Sequence, residues 1–297
     1  MVDCGCSDCF VTKFLAKVVK LNTSKKQTIC LNMIVKNEMG VIRRCFDSCY
    51  RYLDYWCIHD TGSTDGTPEF IENYFKEKGI PGELHLTPWK NFGFNRSLAI
   101  KDSKNKADFC LLLDADFILV VHDTNFKDKL QSDNNLIKYE GGLDYRQNLL
   151  VKADKNWKYH GVTHEYIHAE DASHAINQFD GITILHMTDG GSRDNKFKRD
   201  IELLKQGLID EPENGRYAFY LAQSYKDLGD FANAIPYYQK RANMGGWPEE
   251  CYYAFYMVGY CKMKNKQSFW EFMPDLLRAY WIRPERLEAL NLLVRYC

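Results

Sequence analysis

The sequence predicts an α/β protein: a mainly parallel sheet with an antiparallel extension, followed by an all-α region of helical repeats. Three observations carry that expectation. Apolar runs of strand length alternate with helix-length segments from Ile29 onward. One such run, Phe109-Cys110-Leu111-Leu112-Leu113, stops abruptly on the carboxylates of Asp114 and Asp116. Further on, Pro212, Pro248 and Pro284 recur at intervals of 36 residues, each followed by Glu.

The 297 residues suffice for one large domain or two ordinary ones, and the apolar and charged fractions are those of a water-soluble globular chain. A net charge of −1 gives no overall field toward nucleic acid or an acidic membrane surface. No apolar run is long enough to span a bilayer. Lys13, Lys17 and Lys20 interrupt the first apolar residues, so no secretory signal is expected. Eleven scattered cysteines, with Cys30, Cys57 and Cys110 in apolar strand runs, indicate free thiols in a reducing, cytoplasmic compartment. Cys4, Cys6 and Cys9 lie close together but lack a second cluster of matching spacing, so incidental thiols are expected.

Taken in order, Phe10, Phe14, Val18 and Leu21 have helical spacing and predict an amphipathic arm over residues 1–26. Residues 29–35 read as a buried strand, with a helix from Asn37 to about Tyr52. A second strand over 55–59 leads through a polar turn to a helix beginning at Pro68, a favoured first helical position. A short strand over 83–86 and a helix over about 94–105 return the chain to the strand that ends at Asp114. Strands over 136–140, 147–152, 162–168 and 182–186 are expected to form the antiparallel extension. His160, His164 and His168 have i, i+4, i+8 spacing, but Gly161, Val162 and Thr163 favour a turn and strand over a zinc-binding helix.

After residue 194 the pattern is helical. Ala218, Leu221, Ala222, Tyr225, Gly229, Ala234 and Tyr238 fall at the offsets of a tetratricopeptide repeat. A second unit matches less well, and a third stops after one helix. The expected organisation is a helical arm (1–26), an α/β domain (27–193) and a tetratricopeptide-like region (194–297).

Chemistry is expected where strands end. Side chains alternate along a strand, so Asp114 and Asp116 share a face if the extended conformation persists. Hard oxygen donors there suit Mg²⁺ or Mn²⁺, shared with substrate phosphates. The second strand ends in His59-Asp60-Thr61-Gly62-Ser63-Thr64-Asp65, where small residues let a ligand approach the backbone and Asp60 accepts hydrogen bonds from base or ribose. The first ends in Val35-Lys36-Asn37-Glu38. Three carboxylate-bearing strand ends on one side of a sheet favour a nucleotide-diphosphate and metal site.

Those motifs, in that order, resemble the N-terminal part of family 2 glycosyltransferases, in particular the subgroup with C-terminal tetratricopeptide-like repeats. The resemblance spans roughly residues 28–250. It implies a GT-A (Rossmann-like) fold and a metal-dependent, inverting transfer of a hexosyl group. The implied donor is a nucleotide sugar, a UDP-sugar, and the implied ion is Mn²⁺ or Mg²⁺. The acceptor would be a protein, peptide or glycan, through a hydroxyl or a thiol. Asn37, Glu38 and Asp60 would contact the nucleoside, Asp114 the ribose or metal, and Asp116 the metal. Arg96, in Asn95-Arg96-Ser97, would bind diphosphate or position the aspartates, and His186 would be a metal ligand ending a late strand. For the base, Glu165 in Gly161-Val162-Thr163-His164-Glu165 is favoured over Glu170, Asp171 and Asp144. Trp157 and Tyr159 offer a stacking face for a sugar or pack in the core.

The repeats would hold a peptide acceptor or form a homodimer. The rival reading is an inactive GT-A-like scaffold whose repeats bind proteins. Intact Asp60, Asp114 and Asp116 argue against it.

Overall fold

The structure is a computed structural model that describes residues 26–141, 145–190 and 195–296. The expected arm, the Cys4/Cys6/Cys9 cluster and Asp144 lie outside those residues. Two compact units divide the chain. Of the described residues, the first holds those up to Pro88, Leu98–Trp157 and Ala169–Gly190; the second holds Trp89–Ser97, Lys158–His168 and those from 195 to 296.

The described strands are β1 (Ile29–Val35), β2 (Tyr55–Asp60), β3 (Gly82–Leu86), β4 (Phe109–Leu112), β5 (Phe117–Val121), β6 (Asn134–Tyr139), β7 (Arg146–Lys152), β8 (Lys158–His160), β9 (Tyr166–His168) and β10 (Ile176–His186). Helices α1 (Ile42–Cys49), α2 (Thr67–Lys78) and α3 (Phe92–Asp102) connect the early strands.

In the first unit eight strands form one sheet in the order β3-β2-β1-β4-β7-β6-β10-β5. β1 pairs in parallel with β2 and β4, and β2 with β3. β7 then runs antiparallel to β4 and β6, and β5 antiparallel to β10, as expected of the extension, but β10 runs parallel to β6. β1 has both faces covered and is apolar except for Asn32, whose Nδ2 donates to Ser103 Oγ at 3.1 Å. Phe46 of α1 packs on Phe75 of α2 at 4.7 Å, and Trp56 of β2 stacks on Phe75 at 4.9 Å. Gly66 and Gly79, both with positive φ, bracket α2, and Gly79 and Ile80 return their N–H groups to the carbonyls of Lys76 and Phe75. Cys30, Cys45, Cys49, Cys57 and Cys110 are buried free thiols.

Four local expectations fail, each for a visible reason. The first helix starts at Ile42 rather than Asn37, because Asn37 takes φ 56° and its side-chain oxygen accepts from Thr64 N at 2.8 Å. The strand before the two aspartates ends at Leu112, and Phe117 N donates to Asp114 O in a turn, so the extended alternation through Asp116 does not persist. The apolar run Phe117–Val121 then forms β5, a strand not anticipated. Residues 162–165 form a turn, with Gly161 at φ 109° and His164 at φ 52°, and only Tyr166–His168 is strand, paired with β8.

The second unit contains the β8–β9 ribbon and helices α4 (Lys196–Asp210), α5 (Gly215–Asp227), α6 (Phe231–Asn243), α7 (Pro248–Lys264), α8 (Phe269–Ile282) and α9 (Glu288–Tyr296). Ala218, Leu221, Ala222, Tyr225, Ala234 and Tyr238 are all buried, as the repeat offsets require, and Ala254 occupies the matching place in α7. Pro248 opens α7, while Pro212 and Pro284 lie just before α5 and α9. Ser268 and Glu271 close a capping box at the start of α8. Gly259 lets α7 approach α8: a Cβ there would meet Leu276 Cγ at 2.5 Å. Because Leu276 is fully buried, Gly259→Ala is expected to cost about 1–3 kcal/mol, read as a lowered thermal midpoint. Among the described residues, no helix is long and apolar enough to cross a membrane.

Candidate active site

The carboxyl ends of β1 and β2 build one half of the site. Asp60 is the last residue of β2 and is 2% exposed. Its Oδ1 accepts from the N–H groups of Gly62 and Ser63, each at 2.8 Å, while the buried Oδ2 has no hydrogen-bond partner. A buried carboxylate oxygen without a partner costs about 1–3 kcal/mol, so the position is poised for a donor from a ligand. The loop after β1 is tied across to the same turn. Asn37 N donates to Ser63 Oγ at 2.7 Å, Glu38 N to Thr67 Oγ1 at 2.9 Å and Met39 N to Asp65 Oδ2 at 3.1 Å. Asn37 and Asp65 thereby shape the two loops, and Glu38 lies buried between them and α1.

The end of β4 and the end of β10 build the other half. Antiparallel pairing sets His186 opposite Phe117, one residue past Asp116. His186 Nε2 is 3.2 Å from Asp116 Oδ2, and the ring rests edge-on against Phe117 at 4.9 Å. Gly190 N points at the same carboxylate oxygen at 3.4 Å. Two ligand atoms on an octahedral ion with bonds of about 2.1 Å lie about 3 Å apart. The spacing of Asp116 and His186 therefore fits adjacent positions on such an ion; the carboxylate suits Mg²⁺ or Mn²⁺, and the imidazole is the softer donor of the two. Asp114 stands in the preceding turn, its carbonyl facing Cys45 Sγ, and does not join Asp116 and His186 in a close trio of donors.

The segment after β10, missed in the sequence, covers this pair. Arg44 of α1 grips Asp189 with two bonds of 3.0 and 2.6 Å, anchoring the turn whose Gly190 faces Asp116. The Asp189-Gly190 turn dipeptide following a strand was the available signal.

Within the second unit, Arg96 Nε pairs with Glu165 Oε1 at 2.8 Å, and both side chains are mostly buried. Arg96 also lies over the Tyr159 ring at 5.9 Å. Two residues predicted separately thus form one ion pair. Neighbouring His164 stacks on Tyr220 at 4.0 Å, accepts Arg216 at its carbonyl, and faces buried Asp200 at 3.8 Å. Asp171 instead holds Asn156 through backbone and side-chain bonds, which marks a loop staple. Trp157 is buried with Nε1 donating to Lys152 O, so it packs in the first unit's core.

Burial, with Lys196 and Arg216 nearby, pushes the His164 imidazole down to about 4. The unfolded chain takes up that proton near 6.5, so this site's contribution to stability is complete above 6.5 and is lost as pH falls toward 4. Thermal midpoints between pH 7 and 5 should fall less in His164→Gln than in the wild type.

Asp60 thus closes the parallel strand β2, and Asp116 lies between β4 and β5, just before Phe117. Residues 30–123, from β1 to just past β5, match the model for glycosyl transferase family 2. Over 254 residues the chain is 24% identical to the SPbeta prophage-derived glycosyltransferase SunS of Bacillus subtilis, covering 80% of this chain and 58% of SunS. It thus spans little more than half the length of that relative. Among solved structures, S. aureus TarS in complex with UDP-GlcNAc aligns with a TM-score of 0.44 and 13% identity, over 82% of this chain and 93% of TarS. The first tetratricopeptide domain of Spaghetti (RPAP3), bound to an HSP90 peptide, aligns over 35% of this chain and 79% of its own at 21% identity and a TM-score of 0.31.

Proposed function

We infer that the protein is a metal-dependent, inverting glycosyltransferase that moves a sugar from a nucleotide-diphosphate donor, a UDP-sugar, to a protein, peptide or glycan acceptor. The observation that carries this reading is the convergence, at one sheet end, of the half-satisfied Asp60 carboxylate and the Asp116–His186 pair. Asp60 would accept a hydrogen bond from the nucleoside at Oδ2, with Asn37 and Glu38 shaping its surroundings. Asp116 and His186 would hold Mn²⁺ or Mg²⁺, with Asp114 toward ribose or ion. A bound ion would neutralise the charge that gathers on the departing diphosphate.

In the reaction, the acceptor oxygen forms its bond to the anomeric carbon as the bond to diphosphate breaks, and the bonding pair leaves with the diphosphate. The acceptor proton passes to a carboxylate, for which Glu165 is proposed, with Arg96 fixing its orientation. The GT2 match and the SunS relationship support transfer of a sugar; donor base, acceptor and cytoplasmic location belong to the proposal.

The test is release of nucleoside diphosphate from a panel of nucleotide sugars, with Mn²⁺ and with chelator, in the presence of candidate peptide and glycan acceptors. UDP release that needs Mn²⁺ and accompanies acceptor modification is expected. Turnover undiminished by chelator would contradict metal dependence, and turnover of another nucleotide sugar in preference would contradict the UDP assignment.

A further inference from the structure

A second group of metal-binding side chains lies away from Asp116. Cys57 and His59 alternate along β2 and so share one face, and the parallel register sets His85 of β3 directly beside His59. One donor atom from each of the three falls within 4.8 Å of the others, an arrangement found nowhere else among the described residues. The two imidazoles stack at 4.5 Å. His59 is 1% exposed, and neither its Nε2 nor that of His85 makes a hydrogen bond. The carboxylates of Asp102 and Glu83 stand near them at 3.3 and 3.6 Å without closing one.

We propose that Cys57, His59 and His85 form a second metal site that takes a divalent cation of the zinc class and fastens the edge strand β3 to β2. The donor set is one thiol and two imidazoles, the combination zinc favours over hard-oxygen cations. Zinc bonds of about 2.0–2.3 Å put tetrahedral ligands about 3.5 Å apart, a small contraction from the present spacing. Thr87 Oγ1 meets His59 Nδ1 at 2.9 Å, which orients the ring and leaves Nε2 for a further partner. Asp102, 3.3 Å from His59 Nε2, offsets the cation's charge, while Glu83 is already paired with Lys106 at 2.6 Å; water would complete the fourth position. His85, Glu83 and Asp102 each retain about a third of their side-chain exposure, which gives the ion an entry path. On binding, the Cys57 S–H bond breaks, its proton goes to water, and sulfur bonds the metal; no oxidation state changes. Such an ion would sit one residue from Asp60 and stiffen the strand end that carries it.

The site is independent of the glycosyltransfer reading, and its test does not use activity. The full chain with Cys4, Cys6 and Cys9 replaced by Ser is stripped with chelator and titrated with Co²⁺, a coloured stand-in for Zn²⁺. A thiolate-to-cobalt charge-transfer band is expected, bleached by added Zn²⁺, lost in Cys57→Ser and retained in Asp116→Asn. His85→Gln, on an edge strand, should weaken Co²⁺ binding about tenfold or more while keeping the fold. No charge-transfer band in the parent chain, a band that survives Cys57→Ser, or unchanged affinity in His85→Gln would each overturn the site.

Discussion

Asp116→Asn is expected to remove most turnover while leaving the fold intact. The side chain is almost wholly buried, and its Oδ2 is approached by His186 and by Gly190 N. Asn has the same size and can keep one acceptor oxygen there, so packing survives. It cannot supply the negative charge that draws a divalent ion beside His186. A bound ion stabilises a departing diphosphate by several kcal/mol, so kcat/KM should fall by about a hundredfold or more. Steady-state donor turnover reads the first effect and the thermal midpoint in chelator the second. Wild-type rates in a folded Asp116→Asn would remove Asp116 from the metal site.

Asp60→Asn should act on nucleotide affinity instead. Oδ1 of Asp60 holds the N–H groups of Gly62 and Ser63, and an amide oxygen can continue to do so. The other position changes from a charged acceptor into an N–H₂ donor that faces where the ligand is to donate. Hydrogen bonds to charged groups contribute about 1.5–3 kcal/mol, which corresponds to a weakening of about 10- to 100-fold in Kd. Calorimetric titration with UDP and Mn²⁺ measures it. Asp60→Ala differs in kind: it leaves two backbone donors unpartnered and should lower the unfolding midpoint even without nucleotide. Equal UDP affinity in Asp60→Asn and the wild type would contradict the nucleoside contact.

How legible this was in the sequence depended on the range of the interactions. β1, β2 and β4 were readable because they are buried almost throughout, which leaves largely apolar runs. The repeat helices were readable because their period fixes which residues are buried, down to Ala218 and Tyr238. The turn at Asp114–Asp116 was not, since local alternation alone cannot tell a strand that continues from one that turns and re-enters as β5. That outcome is decided by pairing with β10, some 65 residues further along the chain. His186 was placed by its position at the end of an apolar run, but its contact with Asp116 needed the register. The late start of α1 followed from the side-chain bond of Asn37 to Thr64, a contact between two loops that no helix propensity encodes. Cys57 and His59 show alternation within one strand, yet their association with His85 exists only once β3 is aligned.

The most direct measurement is thermal unfolding of the wild-type chain against a panel of nucleoside diphosphates, each with and without Mn²⁺. A ligand bound only by the folded state adds about 2.7 kcal/mol of stability at a hundredfold excess over its Kd. The midpoint is expected to rise with UDP only when Mn²⁺ is present, and the rise to disappear in Asp116→Asn. Unchanged midpoints with every nucleoside diphosphate, metal present or absent, would contradict it.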